Sequence, residues 1–144
     1  MANELNAALD QVRTMAASIS SIRGSTKGQP VGGIPVTPWV AVFLSDGTSR
    51  PMTYGSGTGL IEETHNITIR VYWDLKDAEE TEKNLEQMWS LVLAKFAGDY
   101  DLGSSVTYSD LVSYSTGFQD VSGVTYRILD CTLTVAMHTQ VFTR

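Results

Sequence analysis

The chain has 144 residues, 42% of them hydrophobic, a formal net charge of −6 and a sequence pI of about 4.7. That length suits a single domain burying roughly 68–70% of its unfolded surface, enough for a core without metal or disulfide. The acidic balance argues against general nucleic-acid binding and adhesion to anionic membranes, both of which draw on Lys and Arg.

Met-Ala-Asn-Glu-Leu opens the chain with neither the basic region nor the apolar segment of a secretion signal, and the expected setting is cytoplasm. No apolar run reaches the about 18 residues of a membrane-crossing helix. Residues 3–22 read as an amphipathic helix, with Leu5, Leu9, Val12, Ala16 and Ile19 at helical spacing. Asn3 is its expected N-cap and Gly24 its left-handed stop. Residues 24–38 hold four glycines and three prolines, which predicts an extended loop.

Trp39–Ser45 is a β-rich run, and Asp46-Gly47 predicts a hairpin turn because glycine accepts the positive φ such turns need. A second strand follows over 48–54, at a sheet edge because Pro51 cannot donate to a ladder. Residues 55–61 are expected to be flexible. From Thr64 to Asp74 the chain alternates, with Ile67, Ile69, Val71 and Trp73 on one face. A second helix starts at the capping box Asp77-Ala-Glu-Glu80. It carries Leu85, Met88, Trp89, Val92 and Phe96 in one stripe and ends at Gly98. Leu111–Gln119 and Val124–Thr139 form a closing hairpin about the turn Asp120–Gly123, with Leu129, Cys131, Leu133, Val135 and Met137 sharing a face. Strands in runs with tight turns and two striped helices predict an α+β fold. Its sheet would be mostly antiparallel, with both helices on one face and a glycine-rich hairpin arm over 46–63.

Motifs for chemistry are weak. Gly55-Ser-Gly-Thr-Gly59 leads into a strand and lacks the lysine of a phosphate-cradling loop. His65 and His138 are the only histidines, at no metal-ligand spacing. Gly-x-Ser-x-Gly is absent. Glu62 and Glu63 are neighbours in a strand and point to opposite faces. Cys131, the single cysteine, reads as a small buried hydrophobe. Asn66-Ile-Thr68 matches a glycosylation acceptor by chance, without a secretion signal. No catalytic residue, metal ligand or cofactor site is therefore expected.

What remains are features that a lone subunit leaves unexplained. The arm carries Arg50, Met52, Tyr54, Leu60 and Ile61 in polar surroundings, the loop holds Val31 and Ile34, and Leu91 lies off the stripe of the second helix. These are candidate contacts to a neighbouring subunit or to whatever the assembly is built on; the plainer reading makes them satellite clusters under loops. Glu79, Glu80, Glu82 and Glu86 form a candidate acidic surface, or a merely solvated helix face.

The order of elements resembles the tail-terminator (tail-completion) proteins of long-tailed bacteriophages. The likeness lies in the first helix and the loop into Trp39-Val-Ala-Val-Phe43, in the helix Glu79–Ala97 with Trp89, and in the segment from Asp120 to Val135. It implies a homohexameric ring on the head-proximal end of a tail tube, the tube being what the candidate contacts would meet besides a neighbouring subunit. That ring would stop tube growth, meet the head's connector or completion protein, and let DNA slide through its hole without specific binding. It also implies a virion protein assembled in the host cytoplasm. The alternatives are another head–tail joining or neck protein, and a small-molecule or peptide-binding module in which Trp73 and Trp89 line a pocket.

Overall fold

Residues 5–51, 58–99, 102 and 106–142 are described by the computed structural model of the chain, the side chains of 51, 58–60 and 139–142 apart. The elements follow as α1 (Leu5–Ala17), β1 (Gly24–Lys27), β2 (Trp39–Pro51), β3 (Thr58–Trp73), α2 (Ala78–Ala97), β4 (Tyr108–Val121) and β5 (Val124–Phe142). One five-stranded sheet holds the strands in the order β1-β2-β3-β5-β4. The β1–β2 pair is parallel and every other pair antiparallel.

The alternating strands divide the sheet into two faces. Ile67, Ile69, Val71 and Trp73 of β3 join Leu129, Cys131, Leu133, Val135 and Met137 of β5 on the inner face. Onto them pack Ala8, Val12, Met15 and Ala16 from α1 and Leu85, Met88, Val92 and Phe96 from α2. The fold is thus α+β with both helices against one sheet, as the two periodicities require.

Helix α1 is shorter than its apolar spacing predicts. Ser18, just past its last residue, donates its hydroxyl to the Met15 carbonyl at 2.6 Å, a local bond that competes with helix. Ile19 and Ile22 still reach the core, from turns rather than helix. Asn3 lies outside the described residues. Gly24 is no helix stop: it opens β1, where a Cβ would sit 2.2 Å from Cζ3 of Trp39.

The segment between β1 and β2 crosses the outer face of the sheet. Ile34, with Trp39 and Phe43, packs on a second buried cluster of Ala41, Tyr72, Val121, Tyr126 and Ile128. Farther across, the Ser122 hydroxyl donates to the Val31 carbonyl at 3.1 Å. The loop is therefore a strap over a small second core.

Asp46-Gly47 is not a turn. β2 runs through it with a bulge between Leu44 and Asp46, and Gly47 faces His65. Here glycine answers to close approach, since a Cβ would lie 2.6 Å from His65 Nδ1 and 2.9 Å from the Thr64 carbonyl. The expected second strand is the same strand continued, and Pro51 stands at an edge because β1 covers β2 only from Trp39 to Val42. Residues 52–57 lie outside the described part, and Thr58–Ile61 belong to β3.

Two turn signals hold. Asp77 caps α2, accepting from the Glu80 N–H at 3.1 Å. Ser122 and Gly123, with φ of 50° and 83°, join β4 to β5 as the left-handed pair of a tight hairpin. Gly98 does end α2, but with a right-handed φ of −86°.

Candidate functional site

The arm is a three-stranded sheet. β2 and β3 pair out to Pro51 and Ile61, and β5 runs beside β3 until Phe142 faces Thr58. Side chains tie the strands together on the outer face. Arg50 pairs with Glu62 at 3.0 Å, and His138 stands 3.6 Å from the same carboxylate. Two same-face rungs nearer the body, Asn66 donates to Asp46 at 2.6 Å while Thr134 donates to Asn66 at 2.8 Å. Ser45 and Thr68 bond across the bulge.

Closer to the strap, Arg70 makes two bonds to Asp130, at 2.6 and 2.9 Å, and lies over the Phe43 ring. Its bond to Asp130 raises the Arg70 pKa above its ordinary value. Neighbouring Tyr72 is raised chiefly by burial. Such a chain of mutually satisfied groups locks strands in register.

The predicted contact residues fall in separate places. Arg50 and Ile61 are on the arm, with the Leu60 backbone beside them. Met52 and Tyr54 lie outside the described residues. Ile34 is packed on the chain's own second core, whereas Val31, on the same strap, is 90% exposed. Leu91 is exposed on the side of α2 that faces the end of α1.

The acidic helix face is as predicted in position. Glu79, Glu80, Glu82 and Glu86 are exposed and, with Asp77 and Lys83, line a shallow open hollow. Glu82 is committed within the chain, receiving two bonds from Arg127 at 2.8 and 2.9 Å. That bonding holds its carboxyl below the usual range and raises Arg127.

Between α1's end and α2 runs a groove of about 370 Å³, lined by Ser20, Arg23, Asn84, Gln87 and Leu91 over Trp73 and Met88. The buried Trp73 indole N–H has no acceptor among the described residues. Trp89 stands on the opposite side of α2, tilted on Tyr114 with ring centres 4.8 Å apart. The two tryptophans therefore do not line one pocket, because they project from opposite flanks of the helix–sheet contact.

Burial pushes the Cys131 thiol up to about 12, with Asp130 adding to the shift. Among the described residues no group of three or more His, Cys, Asp or Glu could hold a metal ion. Nor is any helix there long and apolar enough to cross a membrane.

Sequence reasoning missed the border at β4. Val112, Tyr114 and Phe118 are 52%, 53% and 63% exposed on it, with exposed Leu93 one turn beyond Trp89 on α2. The alternation of this strand was visible; its position at the end of the sheet was not. No protein-family model matches the chain, and a search of curated proteins finds no relative.

Proposed function

We propose that the chain is a structural subunit of virion assembly: a tail terminator that closes as a homohexameric ring on the head-proximal end of a phage tail tube. In this reading it works by binding its own copies, the tube protein and the connector or completion protein of the head. It catalyses nothing. DNA passes the hole without specific contact, helped by the chain's negative charge, which repels the phosphate backbone.

The observation that carries the reading is the arm. Three strands continue past the helix-covered body, and their side chains are engaged with one another rather than around a cleft. A projecting sheet of this kind is suited to reaching a neighbouring molecule. The resemblance of the three segments named above supplies the identity of that neighbour.

Replacing residues 50–62 by Asn-Gly would close β2 and β3 at the facing pair Ser49 and Glu63 and remove the arm's end. The variant is expected to keep the far-UV circular dichroism and solubility of the domain but to leave tubes uncapped, seen as overlong tubes in negative stain. Tubes terminated at normal length by this variant would overturn the reading.

A peptide-binding module is the second reading, favoured by the polar groove that Trp73 helps to line and by its N–H, which lacks an acceptor among the described residues. A thermal shift from a peptide that competes at Arg23 and Gln87, with no effect of arm removal, would select it.

A further inference from the structure

One region of this acidic chain is lined by cations and, among the described residues, by no acid. Elsewhere Lys27, Arg50, Arg70 and Arg127 are each held by a carboxylate. Arg13, Arg23 and Lys95 have no such partner among the described residues, and all three lie about the end of α1. Arg23 lines the groove between that end and α2. Lys95 lines a hollow of about 430 Å³ that shares Ser20 and Leu91 with the groove. Arg13 lines a third hollow, joined to the second at Ser18. The acidic hollow on α2 shares no lining residue with these three. Asp74, which follows Trp73, does not line the groove and accepts from the Thr37 hydroxyl at 3.2 Å.

The spacing of the cations limits what fits them. Arg23 shares the groove with Asn84 and Gln87, and Lys95 comes eight residues after Gln87 on α2. That is a step of about 12 Å along the helix axis, beyond the reach of one small dicarboxylate. An extended peptide advances about 3.3 Å per residue, so carboxylates four residues apart span about 13 Å. An apolar side chain between them would rest on exposed Leu91, above buried Met88. Asn84 and Gln87 can bond the peptide backbone. Nucleic acid is the poorer match. Its affinity comes from many neutralised phosphates, and the rest of the chain, at a net −6, repels it.

We propose that the groove between α1 and α2 takes an extended acidic peptide segment of a partner protein, with one carboxylate on Arg23 and a second, four residues along, on Lys95. The inference rests on the groove of the second reading and gives it a ligand chemistry. It does not need the ring, and it holds for a ring subunit as for a lone module. Arg13 lengthens the basic rim for a longer segment.

The probe is a labelled Ser-Glu-Thr-Leu-Thr-Glu-Ser peptide, followed by fluorescence anisotropy at low salt. Its controls are the same peptide with Gln at both Glu positions and an oligothymidylate. Wild type is expected to bind the acidic probe about tenfold more tightly than the Gln probe, the size that two exposed ion pairs give. Salt at about 1 M, where the screening length falls to about 3 Å, should remove the difference. An Arg23→Gln, Lys95→Gln variant should bind both peptides at the weaker level, with unchanged circular dichroism. Equal binding of both peptides by wild type, or a variant that keeps the preference, overturns the charge pairing and leaves the groove a peptide site. Tighter binding of the oligothymidylate than of the acidic peptide overturns it in favour of nucleic acid. A wild type that self-associates in light scattering, and loses this in the variant, gives the groove to a second copy and overturns the segment. If no probe binds, this inference and the second reading fall together, while the tube-capping test of the ring stands apart.

Discussion

Alanine at position 24 should destabilise the chain because of one aromatic ring. Its methyl would lie 2.2 Å from Cζ3 and 2.4 Å from Cε3 of Trp39, where ordinary contact begins at 3.4 Å. The ring must move, yet it is held by packing on the outer-face cluster and by its N–H to the Thr26 hydroxyl at 3.4 Å. Forced overpacking of this kind costs about 1–3 kcal/mol. In a domain of this size that lowers the melting temperature by roughly 3 °C per kcal/mol. The sign should change once the ring is gone. Gly24 lies outside the positive-φ region, so in a Trp39→Ala background the same alanine is tolerated and stabilises by about 0.4–1 kcal/mol through the unfolded chain. Urea unfolding followed by far-UV circular dichroism on the four proteins of this cycle gives the coupling directly. Equal effects of Gly24→Ala in both backgrounds would refute the argument that the ring is what keeps this position glycine.

Asp77→Ala should cost about 1 kcal/mol by removing the acceptor for the Glu80 N–H, and Asp77→Asn should restore most of it; urea midpoints decide, and an unchanged alanine variant contradicts the cap. Cys131 predicts an alkaline weakness. Burial raises its thiol from 9.0 to about 12, so the folded chain stays neutral there while the unfolded chain ionises. Its contribution is whole below about pH 9 and is lost at about 1.4 kcal/mol per pH unit as the pH rises toward 12. Cys131→Ala should flatten that slope relative to wild type, and parallel slopes would disprove it.

How far the sequence could be read depended on whether local chemistry had one meaning. The stripe of α2, the cap at Asp77 and the alternation Ile67–Trp73 each fit one structure, and each is found as predicted. Asp46-Gly47 had two. A glycine can serve a left-handed turn or a close approach, and only the pairing of Gly47 with His65 separates them. Gly24 misled in the same way, because the demand on it comes from Trp39, fifteen residues later. The strap failed for another reason. Breakers predict that a segment is not helix, and they say nothing of the second core that Ile34 covers. Strand order is global, so neither the Arg70–Asp130 pair nor the exposed border at β4 could be placed. Tyr114 and Phe118 were legible as strand residues and illegible as edge residues.

The arm's third strand decides what kind of extension it is. An isolated two-stranded hairpin is marginal in water, and three strands are needed before a small sheet holds its shape. β2 and β3 alone would form such a hairpin, with cross-strand pairs worth only about 0.2–1 kcal/mol each. β5 changes the balance by running on to Phe142, so that β3 becomes a central strand with partners on both sides. Glu62 then stands between Arg50 and His138, and Asn66 between Asp46 and Thr134. The polar rungs give a register without needing a core, which is what a projecting element requires before it meets a partner. A floppy loop would lose ordering entropy on docking; a preformed sheet has already lost it during folding. The same strand that fills the inner core with Leu129 to Met137 therefore stiffens the arm, coupling the shape of the extension to the stability of the body.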